Sequence, residues 1–266
     1  MPLDLPPPFE GTLPRSPLRL VACQLRYSDL ARPFSAAVVM RLTQHLTDAG
    51  FAYPRIDQVQ LQNLNIDMNT GVAKSESTGH GWRLQSEDSR WILTVTTDAV
   101  TLETTRYRAW NEDFRARFRA LIDALVDAFS PATETRLGLR YVDVITDPSA
   151  QNMVEWSRWI DRALLGPIAH ERLGPGINVI QQQMTLSLDS DVRATVRQGA
   201  YPDPARENAP TYLIDIDVFI ERLARLDRDR VRDTVERLHE WNLRLFAQMI
   251  TPEMLEYLRR PNTAVQ

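Results

Sequence analysis

Cysteine is almost missing from this chain, with Cys23 alone among 266 residues. An internal disulfide and a thiolate zinc site are therefore both excluded, and Cys23, on the apolar side of a strand pattern, reads as a small buried hydrophobe. Lysine is as scarce: Lys74 is the one lysine among 31 basic residues, which leaves thirty arginines. Guanidinium groups pair well with phosphate, yet these are spread along the whole chain, as a GC-rich coding bias would leave them. No apolar run approaches a membrane span, and the opening MPLDLPPPFEGTLPRSP lacks the basic start and apolar core of a signal peptide. The expectation is a cytoplasmic protein with no membrane partner. With a net charge of −4, no global positive field draws the chain to nucleic acid or anionic lipid. Ligand spacing is absent as well. His45, His80, His170 and His239 stand far apart, and His239-Glu240 has Leu243 where a zincin motif needs a second histidine. No cofactor is expected.

What remains is an ordinary globular composition, 43% apolar and 25% charged. Six prolines in residues 1–17 mark a disordered or surface-hugging arm. From Leu18 to Tyr27 alternation puts Val21, Cys23, Leu25 and Tyr27 on one strand face and Leu20, Ala22, Gln24 and Arg26 on the other. Ser35 can cap a helix that stops at Gly50. Apolar alternations near Val59–Met68, Trp82–Ser86, Trp91–Thr97 and Ala99–Tyr107 form an antiparallel meander. It leads into a helix from about Asn111, with Phe114, Phe118, Leu121, Ile122, Leu125, Val126 and Phe129 as its apolar stripe.

The order then restarts. Arg136–Ile145 reads as a strand, Ser149 can cap a helix ending at Gly166, strands follow near Val179–Leu188, Val192–Arg197 and Tyr212–Phe219, and a long helix runs from about Leu226 to Met249. Thr251 and Pro252 then begin a tail helix. The stretches LRYSDLARPFSAAVVM (Leu25–Met40) and LRYVDVITDPSAQNMV (Leu139–Val154) match at six of sixteen positions at an offset of 139 − 25 = 114. Both stand where a first strand turns into a first helix. The reading is an α+β fold of two duplicated β-α-β-β-β(-β)-α halves, 18–134 and 135–250, followed by the tail 251–266. Such halves can form one antiparallel sheet with helices on one face, a saddle like that of the TATA-box-binding-protein-like folds, or two separate domains.

In the repeated motif, alternation buries Leu25, Tyr27, Leu139 and Tyr141 and sends Arg26 and Arg140 to the helix-free face. Gln24, Gln181, Gln183, Arg193 and Arg197 fall on the same surface. The bland alternative is intramolecular pairing of Arg26 and Arg140 with Asp29, Asp143 or Glu103. Asp215 and Asp217, at i and i+2 of one strand, also fall on that surface, and such a pair can hold a divalent metal, as in nucleotidyltransferases. The Gly-Ser turn those enzymes use is missing here, because Gly199 is followed by Ala200. Asn242 interrupts the stripe of Val231, Val235, Leu238, Leu245 and Met249, so it needs hydrogen-bond partners if buried. His239 is one candidate. Trp156 and Trp159, three apart, either pack in the core or offer an exposed contact. Gly174-Pro175-Gly176 is a turn without the flanking strand and helix of a phosphate cradle.

Three stretches, LETTRY (Leu102–Tyr107), RLGLRYVDVI (Arg136–Ile145) and LHEWNLRLFAQMIT (Leu238–Thr251), resemble a sporadically distributed bacterial family of similar length. The resemblance covers nearly all of the chain from Leu18 and transfers no catalytic residue or ligand. Its patchy distribution implies a mobile-element, toxin-antitoxin or phage-defence setting. The leading expectation is a noncatalytic binding or regulatory protein, acting on a protein partner or forming a homo-oligomer through Gln24, Arg26, Arg140, Arg193 and Arg197. A metal-dependent enzyme using Asp215 and Asp217 comes second, and a nucleic-acid-binding protein third, because the mixed charge of this surface suits a polar protein interface better than nonspecific DNA binding.

Overall fold

A computed structural model describes residues 3–9, 11–66, 73–146, 152–204 and 207–261. The chain is α+β. Its strands are β1 (Leu18–Leu30), β2 (Arg55–Ile66), β3 (Ala73–Gln85), β4 (Trp91–Val95), β5 (Ala99–Thr104), β6 (Pro131–Thr146), β7 (Ile180–Ser187), β8 (Arg193–Asp203) and β9 (Ala209–Arg225). They form one antiparallel sheet in the order β2-β3-β4-β5-β1-β6-β9-β8-β7. The helices are α1 (Ala36–Asp48), α2 (Arg115–Phe129), α3 (Arg228–Met249) and α4 (Pro252–Arg259). None of them is long and apolar enough to cross a membrane. Two compact units divide the chain: 22–137 with 221–233, and 1–21 with 138–220 and 234–266.

In the first of these units the alternation of β1 is realised, with Cys23, Leu25 and Tyr27 buried and Arg26 exposed. The Tyr27 hydroxyl donates to the Thr96 carbonyl at 2.9 Å, so a large aromatic side chain is buried without leaving its polar end unpaired. Ser35 stands at the α1 N-cap, but by its backbone: its carbonyl accepts from Val38 and Val39, and its side chain makes no cap bond. Beyond Asp48 the chain leaves the helix through Gly50 at φ 86°, a left-handed conformation that glycine adopts without Cβ strain. The aromatic entry to α2 opens as a π turn, Trp110–Phe114. Trp110 stacks on Phe114 with ring centroids 5.2 Å apart. The stripe of Phe114, Phe118, Leu121, Ile122, Leu125 and Phe129 is buried, and each such side chain contributes about 1.5–3 kcal/mol. Arg228 and Arg232 at the start of α3 pair with Asp123 of α2.

The second unit holds β7, β8, most of β6 and β9, and the body of α3. Its core face is lined by Leu139, Tyr141, Ile145, Ile214, Ile216, Val218 and Ile220. The proline-rich arm lies on this unit. Leu3 donates its N–H to the Leu188 carbonyl at 2.8 Å, Phe9 meets Phe246 edge-on at 6.3 Å, and Arg15 lies 4.9 Å above the Tyr257 ring. The tail helix starts as expected, with the Thr251 hydroxyl accepting from the Met254 N–H and Pro252 in its first turn.

The helix expected between Ser149 and Gly166 is not formed. Ser149 lies outside the described residues, and the segment after it consists of short 3₁₀ turns at Met153–Arg158, Arg162–Leu164, Gly166–Ala169 and Gly174–Gly176. Tertiary pairing interrupts it. Ile160 bridges to Ile250, the Asp161 N–H donates to the Met249 carbonyl, and the Thr251 N–H donates to the Trp159 carbonyl. Side-chain caps then restart the turns, with Asn152 accepting from the Val154 N–H and Asp161 from the Ala163 N–H. Helix propensity yields to these contacts. Trp156 and Trp159 are both buried, so neither is the exposed contact that a shared helix face would have offered. At Gly174 an added Cβ would lie 2.3 Å from the Ile168 carbonyl oxygen, which gives the Gly-Pro-Gly turn a packing role.

Candidate binding surface

The surface is set by alternation in the second unit. Because Ile214, Ile216, Val218 and Ile220 are buried on the core side of β9, Leu213, Asp215, Asp217 and Phe219 stand on the other. Register does the rest. Asp215 lies opposite Arg197 of β8, and Arg197 lies opposite Gln183 of β7. From β6, Arg140 reaches Asp215 by a fork, Nε to Oδ1 at 2.7 Å and Nη2 to Oδ2 at 2.8 Å. Arg197 adds a longer contact, Nη1 to Oδ2 at 3.5 Å, and donates Nε to Gln183 Oε1 at 3.0 Å. The row Arg140–Asp215–Arg197–Gln183 thus crosses four strands.

Asp215 is 3% exposed although it faces away from the core, because the arginines cover it while their own side chains stay 45% and 39% exposed. The hydrogen bond to Asp215 raises the Arg140 pKa against the desolvation that opposes it. At this exposure solvent screening limits the Arg140 pair to about 1 kcal/mol. The value of the arrangement is geometric, since a bidentate fork holds a guanidinium in one orientation.

The structure brings together Arg140 and Arg197 of the expected binding residues, and it joins to them Asp215 of the alternative metal pair. Of the carboxylates named beforehand as partners for Arg140, neither Asp143 nor Glu103 is used; Asp215 is. The Asp29 side chain lies outside the described residues. Arg193, four residues from Arg197 along β8, is exposed opposite Phe219 and Ser187. Asp217 stands opposite Thr195. A metal at Asp215 would face two guanidiniums and would have to displace the fork, a poor environment for a cation. Among the described residues no group of three or more His, Cys, Asp or Glu could hold a metal ion.

Gln24 and Arg26 belong to the other unit and make a local arrangement of their own. Arg26 Nε donates to Gln24 Oε1 at 2.9 Å, and Gln24 Nε2 donates to Thr101 Oγ1 at 3.1 Å. Asn242 is buried and structural, its Nδ2 donating to the carbonyls of Leu139 at 3.1 Å and Leu238 at 3.0 Å. Its Oδ1 is buried without a partner among the described residues. His239 is therefore not its partner. The imidazole Nδ1 meets the Tyr141 hydroxyl at 2.7 Å instead, and burial lowers its pKa to about 4.

Two features escape the sequence reading. A hollow of about 200 Å³ lies beside the charged row, walled by Val179, Gln181, Arg197, Tyr201 and Leu213 over the backbone of Gly199. In the rung Gln181–Gly199–Leu213 the middle position has no side chain. A Cβ there would come within 2.0 Å of the Ile180 carbonyl oxygen, so the close approach of β7 requires glycine. The second is Asp143, 4% exposed on the apolar side of β6, whose carboxyl burial raises to about 8 while Arg19 pulls it down. Its odd parity with Leu139, Tyr141 and Ile145 was the available signal.

No protein-family model matches the chain, and no curated protein matches it. Among solved structures, the S. pombe Pct1 RNA triphosphatase in complex with the Spt5 CTD aligns over 94% of this chain and 87% of that one, at 10% identity and a TM-score of 0.13. At that score the likeness bears on neither fold nor function.

Proposed function

We propose that this is a noncatalytic binding protein that recognises a protein partner, or a second copy of itself, through the sheet face bearing Arg140, Arg197 and Gln183. The observation that supports this reading is the row of guanidinium, carboxylate, guanidinium and amide across β6, β9, β8 and β7. A carboxylate clamped in a fork is committed to orienting its arginines, which suits recognition better than proton transfer or metal binding. Formal charge on this patch is three arginines (140, 193, 197) less two aspartates (215, 217), or +1. A nonspecific nucleic-acid surface needs a longer positive track. The mobile-element, toxin-antitoxin or phage-defence setting rests on the family resemblance.

The test is a double charge reversal, Arg140→Glu with Arg197→Glu, with Arg197→Gln as a milder companion and circular dichroism to establish folding. Partners retained by the tagged wild type in its native host are purified and titrated against each variant, and light scattering at high concentration follows self-association. A partner or dimer that binds the folded double variant as well as the wild type refutes the proposal. Binding that weakens steeply with added salt and is matched by DNA or RNA would favour the nucleic-acid alternative.

A further inference from the structure

Building on the proposed protein-binding role of this face, the geometry points to an extended acidic peptide segment of a partner protein as the ligand. It adds as a strand to the open edge of β7, with a long apolar side chain in the hollow over Gly199 and a carboxylate two residues along at Arg197.

The edge is the first reason. β7 ends the strand order and pairs with β8, and no backbone hydrogen bond to its outer side joins it to any other described segment. Its sequence, IQQQMTLS, has no lysine, proline, glycine or inward charge, the devices by which exposed edges are usually protected from pairing. None of its eight residues is fully buried: Gln181, Gln183, Thr185 and Ser187 are exposed, and Ile180, Met184 and Leu186 are half-covered. An added strand would complete the cover on both faces.

Charge is the second reason, and it selects the occupant. β7 carries no charge of its own, and the charged side chains just behind it on β8 are the exposed Arg193 and the half-exposed Arg197. The acid that Arg197 touches, Asp215, is buried beneath Arg197 and Arg140, and Asp189 and Asp191 in the turn after β7 pair with Arg237. A strand arriving at this edge meets cationic groups, so carboxylates complement it. A second copy pairing β7 to β7 would bring only uncharged glutamine, threonine and serine to these arginines.

Spacing is the third reason. The hollow lies on the rung Gln181–Gly199–Leu213 and the cation on the rung Gln183–Arg197–Asp215. The rungs are two residues apart, about 7 Å along a strand, which matches side chains at i and i+2 on one face of an added strand. Arg197 lies two strand spacings from the newcomer, about 10 Å, a gap that a long guanidinium stem and a glutamate can close from both sides. Val179, 62% exposed at the mouth of the hollow, supplies an apolar wall.

The experiment uses the full-length chain and fluorescein-labelled ten-residue peptides of alternating threonine, with one leucine and a glutamate two residues after it. Controls replace the glutamate by lysine, or methylate alternate backbone amides. Anisotropy measures affinity, and hydrogen exchange reads the β7 amides. The acidic peptide should bind about tenfold or more tightly than the lysine peptide and protect β7. Alternate N-methylation should abolish binding on the register that faces the edge. Arg197→Gln should remove the acidic preference, and Arg197→Lys should restore part of it. Equal affinity for acidic and basic peptides, no added protection in β7, or a stable β7-paired dimer that excludes the acidic peptide would each overturn the inference. If the native partner is lost on reversal of Arg140 and Arg197 while these peptides leave β7 unprotected, strand addition falls and the face reading stands. If neither responds, both fall.

Discussion

Two titratable side chains of the second unit, the buried Asp143 on β6 and the half-buried His239 on α3, should give the protein an unusual dependence of stability on pH. Burial raises Asp143 from 3.8 to about 8 and lowers His239 from 6.5 to about 4. The two effects have opposite signs. Between about pH 4 and 6.5 the folded state keeps Asp143 protonated while the unfolded state has released that proton, so stability falls as pH rises. Over the same window the unfolded state protonates His239 and the folded state does not, so stability rises. Each slope is about 1.4 kcal/mol per pH unit, and they cancel. Above pH 6.5 the histidine is neutral in both states and only the aspartate term remains, which should remove roughly 2 kcal/mol by pH 8. Above pH 8 the carboxyl is ionised in both states and its term is constant.

Urea unfolding followed by tryptophan fluorescence, at half-unit steps from pH 4 to 9, measures this directly, with variants separating the two terms. Asp143→Asn removes the falling term. Its stability should climb by roughly 3 kcal/mol from pH 4 to 6.5 and then level off. His239→Gln keeps the hydrogen-bonding capacity toward Tyr141 and removes the rising term, so its stability should fall continuously by about 5 kcal/mol from pH 4 to 8. The reasoning is refuted if Asp143→Asn loses stability between pH 6.5 and 8 as the wild type does, since the loss would then come from another group.

The charged row makes its own predictions. Arg140→Ala should cost about 1 kcal/mol in urea unfolding and Arg197→Ala about half of that or less, because the first breaks a fork of 2.7 and 2.8 Å and the second a contact of 3.5 Å; a reversed order would mean the fork is not the anchor. Gly199→Ala should destabilise by roughly 1–3 kcal/mol and loosen exchange at the start of β7, since its Cβ meets the Ile180 carbonyl oxygen; wild-type exchange there would count against the close approach. Asn242→Asp puts a charge into a buried position and should cost about 3 kcal/mol or more at pH 7, with the loss shrinking as the pH falls toward 4.

What the sequence made legible was what depends on local periodicity. The odd face of β1, the stripe of α2 and the Thr251-Pro252 start of α4 are written within a few residues of one another, and each lies where alternation or capping puts it. The 3₁₀ region from Met153 to Gly176 is different. Its turns are fixed by Met249, Ile250 and Thr251, nearly a hundred residues later, and no local window contains them. The charged row is intermediate. Parity places Arg140, Arg197 and Asp215 on one face, but β6 meets β9 only because of the strand order, so which acid Arg140 would choose could not be read. Asp143 shows how a usable signal was passed over: its parity with Leu139 and Tyr141 already pointed inward.

The repeated motif sharpens this contrast. At the spacing of 114 that relates Arg26 to Arg140, Thr101 answers to Asp215, since 215 − 101 = 114. A threonine cannot form a charged fork, and the pairing differs too: Thr101 meets Gln24, two residues short of Arg26, whereas Asp215 meets Arg140 itself. A shift of two keeps every side chain on its own face while changing its neighbour across the sheet. Alternation therefore treats Arg26 and Arg140 alike, yet of the two, among the described residues, Arg140 alone gains a carboxylate anchor, and Arg26 bonds to a glutamine of its own strand. An anchored guanidinium loses less side-chain entropy when it binds than a free one. On physical grounds, then, the arginine of the motif in β6 is held by a charged fork, and the arginine of the motif in β1 by a single bond to a neutral amide.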